Sequence, residues 1–202
     1  MKFRTLLFPL LLVLTASTAH ANAFGANPFG FKMGLSRDEV KNLEGVVVDT
    51  SWTTRTRQVL LLSKVPVPDD RFVKFVLYFT EKRGLFTFHA ISKDIPAGTG
   101  GSNLMPKYFE LREELNEAYN GYTISHYVDN VAAWEPEDDW ALKVIQRSGR
   151  DDFRAFLTNF RPKRYDRSEE VTGVELSISL GTPAQIMMIV DYLNYYDAVR
   201  GR

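Results

Sequence analysis

The sequence predicts an α+β domain in which helices pack on an antiparallel meander sheet. A helix-start signature or an apolar helical stripe opens each half of the chain, and several segments alternate apolar and polar residues with the period of a strand. Short turns separate most of these strand-like segments, as in a meander. The order is one helix and three strands, then one or two helices and three strands. We therefore expect a tandem helix-then-three-strand duplication, with halves at about 22–97 and 98–202.

The first helix is indicated by the capping box Ser36-Arg37-Asp38-Glu39. In such a box the serine hydroxyl accepts from the backbone N–H of the third helical residue, and the glutamate reaches back to the amide of the capping residue. The helix is predicted to begin at Ser36 and to end near Gly45.

Three antiparallel strands are predicted next, over 58–65, 71–80 and 85–92. The second of them has large apolar residues at every odd position, which is typical of a half-buried strand. The residues predicted to face the core are Val73, Phe75, Leu77 and Phe79, with Phe86, Phe88 and Ala90 on the following strand.

The second half opens with a helix predicted over 104–120. Asn103 is its expected cap, Pro106 is tolerated in its first turn, and Asn120-Gly121 ends it. Spacings of three and four give this helix one apolar stripe. The stripe consists of Leu104, Tyr108, Leu111, Leu115 and Ala118. A further helix is predicted from Glu135 to about Gln146.

Strands are predicted over 153–160, 174–180 and 184–193. The second of these has the cleanest alternation in the chain. Leu176 and Ile178 are expected to be buried, while Glu175 and Ser177 face water or a covering element.

The first 21 residues have the features of a cleavable export signal. Lys2 and Arg4 precede an apolar run over 6–14, and Ala19-His20-Ala21 fits the small-x-small rule for signal peptidase. A run of about nine residues is too short to span a bilayer. We expect a mature chain that begins at Asn22 and forms a single exported domain, periplasmic or secreted.

Composition excludes several classes of function for the mature chain. Loss of Lys2 and Arg4 leaves 23 of the 25 basic residues against 25 acidic ones, whereas nucleic-acid-binding domains usually have a basic excess. There is no cysteine, which excludes disulfides, thiolate metal sites and a thiol nucleophile. No second long apolar stretch exists, so the mature chain is predicted not to span a membrane. No cofactor is predicted.

The segment from Phe29 to Val40 resembles an opening common in small exported bacterial domains. In those domains a G-[ML]-[ST]-x-x-[EQ]-[VA] stretch starts the first helix. The β-lactamase-inhibitor-protein-like domains and the small lipoprotein of the outer-membrane assembly machine are similar there. The resemblance implies a helix-then-meander architecture and the binding of other proteins without catalysis. This chain has neither the lipidated cysteine of the lipoprotein nor the disulfides of the inhibitor protein, and the resemblance supplies no site residues.

The candidate binding residues form a basic stretch between two predicted strands: Arg161, Lys163, Arg164 and Arg167. Four cations this close together suit an acidic protein or the anionic groups of an envelope component, although a polar connecting loop would also explain them.

Other chemical patterns have simpler explanations. His126 lies near Ser125 and Asp129, too close in sequence for a usual triad and without a G-x-S-x-G elbow. The glycine-rich stretch over 98–102 has no following lysine and serine or threonine, as a phosphate loop requires. The acidic run over 135–139 departs from the calcium-binding EF-hand pattern.

Three hypotheses for function follow. The first is a non-catalytic exported binding protein whose partner is another envelope protein or an anionic envelope component. The second is an exported hydrolase that uses His126 and nearby carboxylates. The third is a carrier that holds an apolar ligand between sheet and helices.

Overall fold

The computed structural model describes residues 23–96, 103–120, 122–128, 156–162, 170–179 and 184–200. The predicted export signal over 1–21, the glycine-rich stretch over 98–102 and the predicted helix that opens at Glu135 lie outside the described residues.

The described strands form one antiparallel sheet in the order β1-β2-β3-β4-β8-β7-β6-β5. Each half of the chain is thus a four-stranded meander, and the two meanders join where β4 pairs antiparallel with β8. The strands are β1 (Val47–Thr53), β2 (Gln58–Lys64), β3 (Phe72–Thr80), β4 (Gly84–Ser92), β5 (Tyr122–Val128), β6 (Phe156–Pro162), β7 (Val171–Ser179) and β8 (Gln185–Tyr192).

The predicted antiparallel sheet is confirmed, but the count of three strands per half is wrong. The missed strands are β1 and β5, the first strand of each meander and an edge of the sheet. Every side chain of β1 is exposed, so its sequence has no reason to alternate. In β5, Tyr122 and Ile124 pack against the core only in part.

Among the described residues, three α-helices accompany the sheet: α1 (Arg37–Lys41), α2 (Leu104–Ala118) and α3 (Tyr195–Arg200). The capping box is confirmed, because Ser36 accepts from the backbone N–H of Glu39 and Glu39 accepts from that of Ser36. Asn103 does not act as predicted: its own backbone is helical and its side chain makes no capping hydrogen bond.

The apolar stripe of α2 is buried as predicted, and Ala118 is partly buried. Tyr108 fixes this helix to the second meander, because its phenol oxygen lies 2.6 Å from the Thr158 hydroxyl on β6. Glu114 fixes it to the first, because it accepts two hydrogen bonds of 2.6 Å from Arg71, which precedes β3. One helix is thereby tied to both meanders.

The N-terminal segment, residues 23–31, is part of the core. Phe29 is fully buried and has a φ of 55°, a left-handed backbone that is uncommon for a residue other than glycine. Its ring lies 4.9 to 6.0 Å from the rings of Phe24, Phe72, Phe75 and Phe88. Edge-to-face contacts of this kind add to the burial energy and hold the unusual backbone in place.

Two β-bulges change the predicted faces of β3 and β4. A register shift at Val73 leaves that residue half-buried and turns Phe72 into the core instead. A second shift, where Phe79 pairs with Leu85 and Tyr78 with Thr87, leaves Phe86 unopposed. Phe86 is fully buried but lies outside the core cluster, so its predicted inward orientation is wrong. An extra residue in a strand shifts the alternation of side chains on that strand.

Candidate interaction surface

The face of the sheet opposite the core has a row of side chains that crosses all eight strands and is half-buried on the six inner strands but exposed on β1 and β5. Cross-strand pairing sets this row as Thr50, Leu61, Val76, His89, Ile189, Glu175, Asn159 and Ser125. Leu61, Val76 and Ile189 are the apolar members of the row, and the other five, including His89 near its centre, are polar. We call this side of the sheet the second face.

An aromatic patch lies on the second face and is formed by Arg57, Tyr78, Phe86, Tyr195 and Tyr196. Phe86 is its buried base, and the bulge in β4 places that ring there. The Tyr195 ring lies 6.0 Å from the Phe86 ring and 5.5 Å from the Tyr196 ring. The Arg57 guanidinium lies 5.7 Å from the centre of the Phe86 ring. The patch therefore has a buried ring, Phe86, at its base and an exposed ring, Tyr196, at its rim.

The fold fixes α3, and with it the two tyrosines, against the start of β4. Asn194 donates hydrogen bonds of 2.9 and 3.0 Å to the carbonyl oxygens of Arg83 and Leu85. Arg83 also forms an ion pair of 3.6 Å with Asp197. Tyr195 and Tyr196 are thus held on a short helix that two separate contacts position.

At the rim of the patch the positive charge of Arg57 acts on the Tyr78 phenol. Burial raises the pKa of Tyr78, and the nearby Arg57 opposes part of that rise. The Tyr78 ring also lies 5.1 Å from the His89 ring, which continues the aromatic surface toward the middle of the sheet. Tyrosine and arginine are enriched among residues that dominate the energetics of protein interfaces.

A polar cluster occupies the next part of the second face. The Thr87 hydroxyl lies 2.9 Å from Asp191 Oδ1 and 2.9 Å from the Val190 carbonyl oxygen, so it can donate to one of them at a time. Burial raises the pKa of Asp191, while the Thr87 hydroxyl and the charge of Arg161 oppose part of the rise.

Arg161 is the predicted binding residue that the structure describes. It lies in β6 and not in a loop, and its guanidinium is seated over Gly173, where a Cβ atom would collide with it. Its Nη1 atom lies 3.5 Å from the Thr172 carbonyl oxygen. Lys163, Arg164 and Arg167 lie outside the described residues.

His126 lies in β5, where its backbone is paired with Thr158, and its side chain lies outside the described part of the chain. In the described ranges no group of three or more histidine, aspartate or glutamate residues could hold a metal ion. Among the helices described, none has the length and apolar character needed to cross a membrane.

Two grooves of about 470 and 460 Å³ are open to solvent. The larger lies between the N-terminal segment and the end of α2, and Lys32, Tyr119, Tyr122 and Glu170 line it. The smaller lies beside the Pro66–Pro68 turn and reaches Phe72 and Phe75. Neither is the enclosed apolar cavity that a ligand carrier would need.

The sequence did not predict the aromatic patch, because Phe86 was expected to face the core and Arg57 belonged to no recognised pattern. Nothing in the alternation of β4 marks a bulge, and Arg57 becomes part of the patch only through the hairpin between β1 and β2. The chain matches no protein-family model, no curated protein and no solved structure.

Proposed function

We propose that this protein is a non-catalytic, exported binding protein of the cell envelope and that the aromatic patch is its principal contact surface. The observation that carries the proposal is the grouping of Arg57, Tyr78, Tyr195 and Tyr196 around the buried Phe86 ring. Rigid aromatic side chains lose little conformational entropy on binding, and a neighbouring arginine adds polar contacts at the rim.

Export is supported by the charged start, the short apolar run and the small-x-small site of the first 21 residues. Mass spectrometry of the exported protein is expected to show Asn22 as the first residue. Recovery of a membrane-embedded form that retains Met1 would contradict export with cleavage.

Two meanders of four strands, each preceded by a helix and joined through their fourth strands, support a tandem duplication with helices on one face of the sheet. This arrangement would leave the exposed rim of the aromatic patch, Arg57 and Tyr196, for a partner. It is also the architecture that the resemblance of the Phe29–Val40 segment implies.

The test is affinity capture from an envelope extract with the exported chain as bait. Arg57→Gln combined with Tyr196→Ala removes the exposed rim of the patch while the buried Phe86 remains. Phe109→Ala is the matched control, because Phe109 is an exposed aromatic residue on α2, outside the patch. The proposal expects a bound protein that wild type and control retain and the double variant loses. Equal retention by all three would contradict it.

The basic stretch is proposed as a second contact that steers an acidic partner. Replacement of Arg161, Lys163, Arg164 and Arg167 by serine should slow association with the captured partner at low salt. The difference from wild type should be smaller at high salt, because exposed charges are screened over about 8–10 Å. Unchanged association at low salt would remove this stretch from the binding surface.

The hydrolase hypothesis is separated from binding by His126→Ala. A binding protein should keep nearly all its activity in the cell after this change, whereas a hydrolase that uses His126 should lose it.

The carrier hypothesis predicts an apolar small molecule that co-purifies with the exported protein and is recovered by organic extraction.

A further inference from the structure

The first strand, β1, is an edge of the sheet with unusual features for an edge. It pairs with β2 on one side, and among the described residues no strand pairs with its other side. All seven of its side chains are exposed, and Trp52 is 44% exposed. An edge strand presents unpaired backbone N–H and C=O groups, which natural proteins usually protect with lysine, proline or a bulge.

The protection of this edge is incomplete. Val47–Thr53 contains no lysine and no proline, and its one charged side chain is Asp49. Asp49 lies at a register shift, but its Oδ1 atom accepts a 2.7 Å hydrogen bond from Ser63 on the neighbouring strand. From Thr50 to Thr53 the pairing with β2 is regular, so these four residues offer an uninterrupted, uncharged edge.

The hairpin that follows β1 places positive charge at one end of this edge. The turn is closed by the Thr54 N–H, which donates 2.8 Å to the Arg57 carbonyl oxygen, and Arg55 lies exposed at its tip. An added strand that runs antiparallel to β1, the more stable orientation, begins beside this tip. Acidic residues at the start of that strand would therefore meet Arg55.

We propose that β1 is a docking edge for an extended segment of another protein, which adds to the sheet as an antiparallel ninth strand and is uncharged except for acidic residues at its N-terminal end. Backbone hydrogen bonds to Thr50–Thr53 provide affinity, and an aromatic or β-branched residue opposite Trp52 provides selectivity. A foreign strand meets one register shift, at Asp49, whereas pairing between two copies of β1 would bring two such shifts into the same short ladder. The edge is distinct from the aromatic patch, and this proposal stands whether or not the patch binds a partner.

The experiment uses the exported chain and a nine-residue peptide with two aspartates followed by alternating threonine and valine, capped at both ends. Amide hydrogen exchange by NMR should slow at Thr50–Thr53 when the peptide is added. A peptide of the same sequence with N-methyl groups on alternate residues cannot form the ladder and should have no effect. Replacement of the two aspartates by lysine should weaken binding, and the difference should shrink at high salt.

Protein variants separate the edge from other surfaces. Trp52→Ala should weaken peptide binding about two- to fivefold, as expected for a lost cross-strand pair. Arg55→Gln should abolish the preference for aspartate over lysine. Tyr196→Ala and Phe109→Ala should leave binding unchanged.

Two results would overturn the proposal. One is equal slowing by the normal and the N-methylated peptide, which would place the contact away from the backbone edge. The other is a dimer in analytical ultracentrifugation that Trp52→Ala dissociates, which would assign the edge to a second copy of the chain.

Discussion

The phenol of Tyr192 donates a 3.0 Å hydrogen bond to the carbonyl oxygen of Phe31 and so joins the last strand of the sheet to the N-terminal segment. Tyr192 is fully buried, and its ring lies 6.2 Å from the Phe88 ring at the junction of the two meanders. This hydrogen bond connects two parts of the core that are 161 positions apart in sequence.

Tyr192→Phe should lower the free energy of unfolding by about 0.5–1.5 kcal/mol, because it removes this bond and leaves the Phe31 carbonyl without that donor. Tyr196→Phe, at an exposed position, is the control and should change little. Urea denaturation of both variants measures the difference, and an equal effect would show that the Tyr192 bond contributes no net stability.

Phe29→Ala should cost about 3–5 kcal/mol, because it removes a fully buried ring that contacts four other aromatic side chains. Phe109→Ala should cost far less, since its ring is 39% exposed. Thermal unfolding followed by circular dichroism compares the two. Similar melting temperatures would mean that the N-terminal segment is not part of the cooperative core.

Ile178→Ala should cost about 2–5 kcal/mol and Ser177→Ala less than about 1 kcal/mol, since Ile178 is in the core and Ser177 makes one long hydrogen bond on the second face. Both side chains are 0% exposed, so burial alone does not separate them. Chemical denaturation distinguishes the outcomes, and equal losses would contradict the face assignment of β7.

Asp191 should make stability depend on pH. Burial raises its pKa in the folded state above the ordinary value of about 3.9, so folding favours the protonated form. The stabilising contribution is therefore complete below the unfolded pKa and is lost as pH rises through the folded pKa. The charge of Arg161 and the Thr87 hydroxyl limit that loss.

Asp191→Asn removes this titration while it keeps the shape of the side chain. Relative to this variant, wild type should lose stability as pH rises from about 4 and should level off once Asp191 is ionised. Urea unfolding over this range provides the comparison. A constant difference between the two proteins at every pH would contradict a raised pKa.

The sequence predicted the elements whose burial has a regular period. The stripe of α2 and the alternation of β7 were found because each has one side in a continuous apolar core. β1 was missed for the opposite reason, since all its side chains are exposed and its position depends on backbone pairing with β2.

The bulges explain why the candidate surface was harder to predict than the sheet. One additional residue at Phe86 reverses the face of a large aromatic side chain, and it does so without any glycine or proline at that position. The aromatic patch then depends on contacts between residues 57, 86 and 195, which are far apart in sequence. The seat of the Arg161 guanidinium over Gly173 depends in the same way on the register between neighbouring strands.

The packing of the N-terminal segment against the last strand limits the order in which the parts of the core can fold. A chain that emerges N-terminus first, from a ribosome or a translocase, presents Phe24, Phe29 and Phe31 long before Tyr192 is available to close over them. Contacts between the two ends of a chain are slow to form, because a large loop must close before they are made. The first meander is therefore expected to remain open and accessible to chaperones until synthesis or transport is almost finished.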